Sequence, residues 1–304
     1  MIANKTKYLV IIAGPTAVGK TSMAIKAAQH FDSEIFSCDS RQVYQEMEIG
    51  TAKPSETELA QIKHHFISHK SILDRYTAGD FERDADQHLE LYFKSNNIAI
   101  MTGGTGLYIK AVTEGLDDFP QVSEDIQRKL QEELDVNGLG NLVTHLTSLD
   151  PEAMKTIDSS NSRRVMRALG VCLASDKPYS SFLTAEKKKT AYKVIPIVLH
   201  MPREKLYERI NLRVDLMMKN GLLDEVKSLY QHKDKKALQT VGYSELFAHL
   251  DGKISLDEAV ELVKRNSRRY AKRQMTWFRN QGEFHEVSAE SIDQLLTHIR
   301  SQLN

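Results

Sequence analysis

Gly14-Pro15-Thr16-Ala17-Val18-Gly19-Lys20-Thr21 is a set of residues suited to gripping a chain of phosphates. Its glycines let the backbone turn tightly enough to aim N–H groups at phosphate oxygens, and a helix starting near Lys20 adds the positive end of its dipole. Lys20 supplies a point charge, and the Thr21 hydroxyl suits Mg²⁺. A second polar group, Asp39-Ser40-Arg41-Gln42, offers the only acid close to an apolar segment near the loop. Thr102-Gly103-Gly104-Thr105-Gly106 follows another apolar run, with glycines that permit close backbone approach and two threonine hydroxyls at a helix start. Arg163, Arg164 and Arg167 place positive charge on adjacent turns of one helix, which suits phosphate contacts or simply a solvated face. Between Lys264 and Gln281, Lys264, Arg265, Arg268, Arg269, Lys272, Arg273 and Arg279 occur without an acid, interleaved with Tyr270, Trp277 and Phe278. That mixture of cations and aromatics fits nucleic acid, with the aromatics serving either base stacking or the core.

Short strands and amphipathic helices must carry these groups. Tyr8–Ala13 is an almost wholly apolar run rich in β-branched residues and reads as a buried strand leading directly into the phosphate loop. Residues 33–40 and 97–101 read as further strands, their C-terminal ends opening on the crevice where α/β sheets bind ligands. Ser55-Glu56-Thr57-Glu58 and Ser255-Leu256-Asp257-Glu258 are capping boxes that open helices, the second running to about Asn280. Phe81, Ala85 and Leu89 recur at helical spacing as a core stripe. His64-His65 has no third ligand at metal spacing and is expected to be solvated or to cap the core. From Asp117 to Lys189 strand character disappears; Ser123, Asp150-Pro151 and Ser160 start helical patterns, and Lys187-Lys188-Lys189 closes the segment. Strand character returns at 193–200, with Pro196 indicating an edge or bulge. A long helix then runs from Pro202 to Asn220-Gly221, with Arg209 and Arg213 on the border of its buried stripe, placed to reach a cleft or the solvent.

The expected fold is therefore α/β: a P-loop NTPase-like parallel sheet flanked by helices, formed by residues 1–116 and 190–304, with an inserted small all-helical domain at 117–189. The 41 basic and 41 acidic residues cancel, so nucleic-acid affinity must come from local patches. Cys38 and Cys172 give neither metal spacing nor a disulfide framework. No secretory leader, membrane span or repeat is evident, and the expectation is a cytoplasmic, monomeric enzyme with no membrane partner.

A phosphate loop alone matches kinases, ATP-binding NTPases and transferases. Typical ATPases carry an acid at the end of an apolar strand; Asp39 follows only a short one, and the strand ending at Thr102 carries none. The loop, Asp39-Ser40-Arg41-Gln42-Val43-Tyr44, Gly50–Pro54, Thr102–Tyr108, Arg163–Leu169, Val241-Gly242-Tyr243 and the run from Tyr270 to Arg279 together resemble the tRNA dimethylallyltransferase (tRNA isopentenyltransferase) family, in order and over nearly the whole chain. Gly170 departs from the Glu that usually follows Arg-Ala-Leu there.

The resemblance implies transfer of a dimethylallyl group from dimethylallyl diphosphate to the exocyclic N6 amine of the adenosine next to the anticodon, position 37, of tRNA. It places the diphosphate on the loop, with Thr16 and Arg213, Arg209 being the fallback, and Mg²⁺ held partly by Thr21. Asp39 would accept the proton. The anticodon stem-loop would be held by Asp39, Ser40, Arg41, Gln42, Thr105, Gln127, Arg163, Arg164, Val165, Met166, Arg167, Gln239, Thr240, Val241, Gly242, Tyr243, Ser244, Arg273 and Trp277. An adenylate isopentenyltransferase or a small-molecule kinase could use the same loop, and a nucleotide-switched RNA-binding module would share the basic helix.

Overall fold

Residues 6–184, 188–281 and 283–303 are described in a computed structural model of the chain. In chain order the elements are β1 (Tyr8–Ala13), α1 (Lys20–Phe31), β2 (Ile35–Ser37), α2 (Glu56–Leu59), β3 (His64–His65), α3 (Ala78–Tyr92), β4 (Ile98–Gly103), α4 (Gly106–Glu114), α5 (Glu124–Leu149), α6 (Ser162–Ser175), β5 (Lys193–His200), α7 (Arg203–Lys219), α8 (Leu222–Ser228), α9 (Tyr243–Leu250), α10 (Leu256–Asn280), β6 (His285–Ser288) and α11 (Ile292–Gln302). The strands form one six-stranded parallel sheet in the order β3-β2-β4-β1-β5-β6.

All six residues of β1 are buried, because helices cover both faces of the sheet. Alternate side chains point to opposite faces. Tyr8, Val10 and Ile12 join Ala24, Ala28, Leu206, Ile210 and Leu295 on one side. Leu9, Ile11 and Ala13 join Phe81, Leu89, Ile109 and Phe278 on the other. A third apolar cluster packs Val43, Tyr44 and Met47 against α8, α9 and the start of α10.

Pro196 lies in an interior strand, contrary to the edge or bulge its type predicts. The Lys193 N–H donates to Lys7 O, so every second N–H of β5, including those of 195 and 197, faces β1. The missing N–H of Pro196 therefore faces the β6 side, where pairing begins only at Ile197. His64-His65 forms the outermost strand; His65 Nε2 bonds Glu34 at 2.5 Å and its ring stacks on Phe36 at 4.4 Å. Among the described residues no three His, Cys, Asp or Glu side chains cluster as a metal site, and both cysteines are free and buried.

The chain divides into two compact units, 1–114 with 189–304, and 115–188. In the first, the Tyr192 hydroxyl donates to Val112 O at 3.2 Å, tying the strand's return to the departing helix. In the second, the Asp117 carboxylate accepts from the N–H and hydroxyl of Thr184 at 2.7 and 2.8 Å. Lys187, part of the basic run noted in the sequence, lies outside the described residues.

The described elements of the second unit are helical, packed around Leu130, Leu142, Leu146, Val165, Ala168 and Leu169. Ser123 caps α5 by accepting from Ile126 N, and the helix breaks at Gly138, where φ is 76°. Asn161, rather than Ser160, caps α6, since the Ser160 hydroxyl is engaged with Asp158. Asp150-Pro151 starts only a short turn; the buried Asp150 carboxylate instead takes three bonds, from Ala153 N, Ser180 N and the Ser180 hydroxyl. At Gly170 a Cβ would meet Val122 at 3.1 Å, so the Glu usual at that place would require Val122 to give by a few tenths of an ångström.

Candidate active site

The C-terminal ends of β1, β2, β4 and β5 carry the chemistry, as expected for an open parallel sheet. β1 runs into the phosphate loop, and Gly19, at φ 106° and ψ 22°, turns the chain into α1 in a conformation that disfavours other residues. Lys20 folds back to donate to Pro15 O at 2.9 Å. Burial lowers its pKa to about 8; nearby Asp39 opposes this and Arg213 adds to it. Both border arginines of α7 reach the loop. Arg209 Nε donates to Ala17 O at 2.8 Å, whereas Arg213 Nη1 donates to the Thr16 hydroxyl at 3.2 Å. Burial, then the like charge of Arg209, lowers the Arg213 pKa, while Asp39 raises it.

Asp39 follows β2 at the start of a turn. Its Oδ1 accepts from Arg41 N at 2.8 Å and Gln42 N at 3.4 Å, an arrangement that side chains of this length make with their own backbone. Thr105, at the end of β4, accepts from Ser40 N at 3.0 Å and donates to the Ser40 hydroxyl at 3.3 Å, binding the Asp39 turn to the neighbouring wall. Thr102 sits where an ATPase would carry an acid, and its hydroxyl donates to Ile12 O at 2.9 Å inside the sheet. The carboxylate among these loops therefore comes from the Asp39 turn.

The glycines of the 102–106 wall have a different use from the one their pattern predicts. A Cβ at Gly103 would lie 2.5 Å from Cys38 O, one at Gly104 2.2 Å from Gln274 Nε2, and one at Gly106 2.3 Å from the Trp277 ring. They admit the protein's own groups. Trp277 is accordingly half-buried, edge-on to Phe278 at 5.1 Å, and anchors α10. Arg273 is exposed on the same helix with its guanidinium over Tyr270.

On α10 the sequence assigns Gln274 no role, and Tyr270 only that of base stacking or core. Gln274 accepts from Thr16 N at 2.9 Å and donates to Gly104 O at 2.9 Å. Burial pushes the Tyr270 hydroxyl pKa up to about 12, with Asp39 adding to the shift and the charges of Arg41 and Arg273 opposing it. Ala271, Gln274 and Phe278 share the buried face of α10 at helical spacing, so an amide in that stripe was the available signal: a buried amide needs partners.

The Gly50–Pro54 and Gly242-Tyr243 motifs meet at Glu225. Its carboxylate accepts from the N–H groups of Glu48, Ile49 and Gly50 at 3.1, 2.7 and 3.0 Å and from the Tyr243 hydroxyl at 2.5 Å. The Tyr243 ring covers Gly50 so closely that a Cβ there would meet it at 2.6 Å. The loop so fixed accepts the Gln42 amide through the carbonyls of Thr51 and Ala52. Tyr243 is fully buried, and Gly242 is buried at the start of α9; the Tyr243 side chain therefore buttresses the loop and does not face a ligand. Gln239 and Ser244 are exposed, and Thr240 and Val241 half-buried. Arg41 reaches Lys236 O at 3.4 Å.

In the helical unit, Arg163, Arg164 and Arg167 are exposed on α6, Arg167 lying over the Phe119 ring, while Val165 is fully buried and Met166 packs partly against the same core. The Val165 side chain thus packs into the core of this unit. Gln127 bonds Val122 O at 2.9 Å.

Residues 42–281 match the family model described as IPP transferase. The chain belongs to the IPP transferase family. It is 50% identical over 300 residues, 98% of this chain and 99% of the other, to a protein of Christiangramia forsetii named tRNA dimethylallyltransferase. A crystal structure of a tRNA isopentenylpyrophosphate transferase from Bacillus halodurans shares 36% identity and a TM-score of 0.72, covering 98% of this chain and 97% of that one. Crystallographic snapshots of a eukaryotic dimethylallyltransferase acting on tRNA give 27% identity and a TM-score of 0.79, over 98% of this chain and 77% of that one. This IPP transferase has the parallel α/β architecture expected from its strand and loop pattern, and among its described residues no helix is long and apolar enough to cross a membrane.

Proposed function

We propose that the protein transfers the dimethylallyl group of dimethylallyl diphosphate to N6 of the adenosine at position 37 of tRNA, 3′-adjacent to the anticodon, giving N6-isopentenyladenosine and diphosphate. The observation that carries this reading is one carboxylate, Asp39, set among cations of a phosphate loop and tied through Ser40 to a threonine wall, with no acid at the end of β4. A site so built is poor for activating water against a nucleotide but suits an anionic leaving group beside an amine.

In the reaction N6 attacks the allylic C1, the C1–O bond breaks with its electron pair going to diphosphate, and one N6 proton is lost. Asp39 is the group that accepts it. Its Oδ1 is committed to the turn, leaving Oδ2 for the amine. Lys20, the N–H groups after Thr16, Arg213 and the Thr16 hydroxyl neutralise charge on the leaving group. Arg213 is preferred over Arg209 because its guanidinium already meets a side-chain hydroxyl of the loop, whereas Arg209 is held by a backbone carbonyl.

Mg²⁺ fits the donor set, in which the Thr21 hydroxyl opens α1 beside the loop as a hard oxygen donor. That is the environment of an ion held mainly by phosphate oxygens and water. Bound there, it would add positive charge to the diphosphate.

In the first unit Ser40, Arg41, Gln42 and Thr105 line the Asp39 turn and its wall, with Gln239, Ser244 and Arg273 exposed, and in the second Arg163, Arg164 and Arg167 are exposed; each set offers polar contacts to an anticodon stem-loop. The reading is of a monomeric, cytoplasmic enzyme acting on tRNA. The test is incubation of the protein with Mg²⁺, radiolabelled dimethylallyl diphosphate and unmodified tRNA. Label in adenosine 37 is expected; label only on free AMP, or none in RNA, overturns the assignment.

A further inference from the structure

We propose that Gln274 is a positioning residue for this transfer, holding Thr16 of the phosphate loop at a fixed distance from the Gly104 wall. The inference rests on the function proposed above. The amide can sit only one way round. Thr16 N is an obligate donor and Gly104 O an obligate acceptor, so Oε1 faces the loop and Nε2 faces the wall, each at 2.9 Å. The residue is 7% exposed, so water has little access to these bonds. On the other side of the same residue, Arg213 donates to the Thr16 hydroxyl. Thr16 is thereby held at its backbone and at its side chain by two different helices.

Two chemical consequences follow. The Thr16 N–H is spent on Gln274 and does not face the leaving group, so backbone donation to diphosphate begins at Ala17. The hydroxyl, which accepts from Arg213, keeps its own hydrogen and can donate it to a diphosphate oxygen. Thr16 therefore acts through Oγ1, and Gln274 decides where Oγ1 stands. The spacer also explains the glycine at 104, where a Cβ would overlap Nε2.

Gln274→Leu removes both bonds at similar volume. Its kcat/KM for dimethylallyl diphosphate should fall roughly 10- to 100-fold while the tRNA dissociation constant stays within about twofold of wild type. Thr16→Val and the double variant complete a cycle: if Gln274 acts through Thr16, the double variant is little worse than the poorer single one. Gln274→Glu provides a second readout and keeps the side-chain shape. Ionised, it presents an acceptor to the Gly104 carbonyl; protonated, it restores both bonds, so its activity relative to wild type should rise as pH falls from about 8 to about 6. Losses that simply add in the cycle, or a flat activity ratio across that range, overturn the role of Gln274. A wild-type protein that places no label in tRNA overturns the parent function instead, so the two failures are distinguishable.

Discussion

Asp39→Asn removes the negative charge at the site but keeps Oδ1, so the turn to Arg41 N and Gln42 N can persist. Two losses follow. The amine loses its proton acceptor, which typically costs about 10²- to 10⁴-fold in rate. Lys20 also loses the neighbour that opposes its low pKa of about 8, so its ammonium deprotonates nearer neutrality. Each further unit of lowering would take Lys20 at about pH 8 from roughly half charged to roughly a tenth charged. The combined expectation is a rate at least about 100-fold below wild type near neutral pH, falling further as pH rises. Asp39→Ala should add a stability loss of about 1–2 kcal/mol by leaving the turn amides unpaired. Single-turnover incorporation of label with both substrates saturating measures the chemical step, and filter binding measures tRNA affinity, expected to change little. An Asn variant that prenylates within about threefold of wild type removes Asp39 as the base.

The low pKa of Lys20 predicts that binding of inorganic diphosphate weakens as pH rises through about 8, because the charged form that binds is then lost; calorimetry should show this excess pH dependence disappearing in Lys20→Met. Gly106→Ala would drive a methyl group into Trp277, costing about 1–3 kcal/mol. Trp277 is the sole tryptophan, so its emission should shift along with a lowered Tm, and an unchanged spectrum and Tm would refute the close packing. Glu225→Ala removes the acceptor of three successive amides and should abolish hydrogen-exchange protection at 48–50, with about 2–4 kcal/mol of local stability lost; retained protection would refute its role.

The phosphate loop, the buried strands and the reach of α7 arginines were legible because each has a local cause: a backbone pattern, an apolar run, a helical border. The uses of the glycines at 103–106 were not. Close approach can be predicted from a glycine, but what approaches is set by Cys38, Gln274 and Trp277, the last two more than 160 positions away. Tyr243 and Val165 lie within motifs that look ligand-facing, yet the sheet and helix packing turns both inward. Glu225 carries no local signal at all; one acid on an ordinary helix became the organiser of a distant loop only because the fold brings three amides to it. Pro196 failed as an edge marker because the rule concerns one side of a strand, and that side is fixed by where β6 starts.

The paired junctions at Val112–Tyr192 and Asp117–Thr184 also bear on engineering. Each unit closes its own chain ends with its own bonds, so the 115–188 segment is built as a cassette. A short linker in place of 115–188 should therefore leave the sheet threaded as it is, which makes the segment a natural point for engineering.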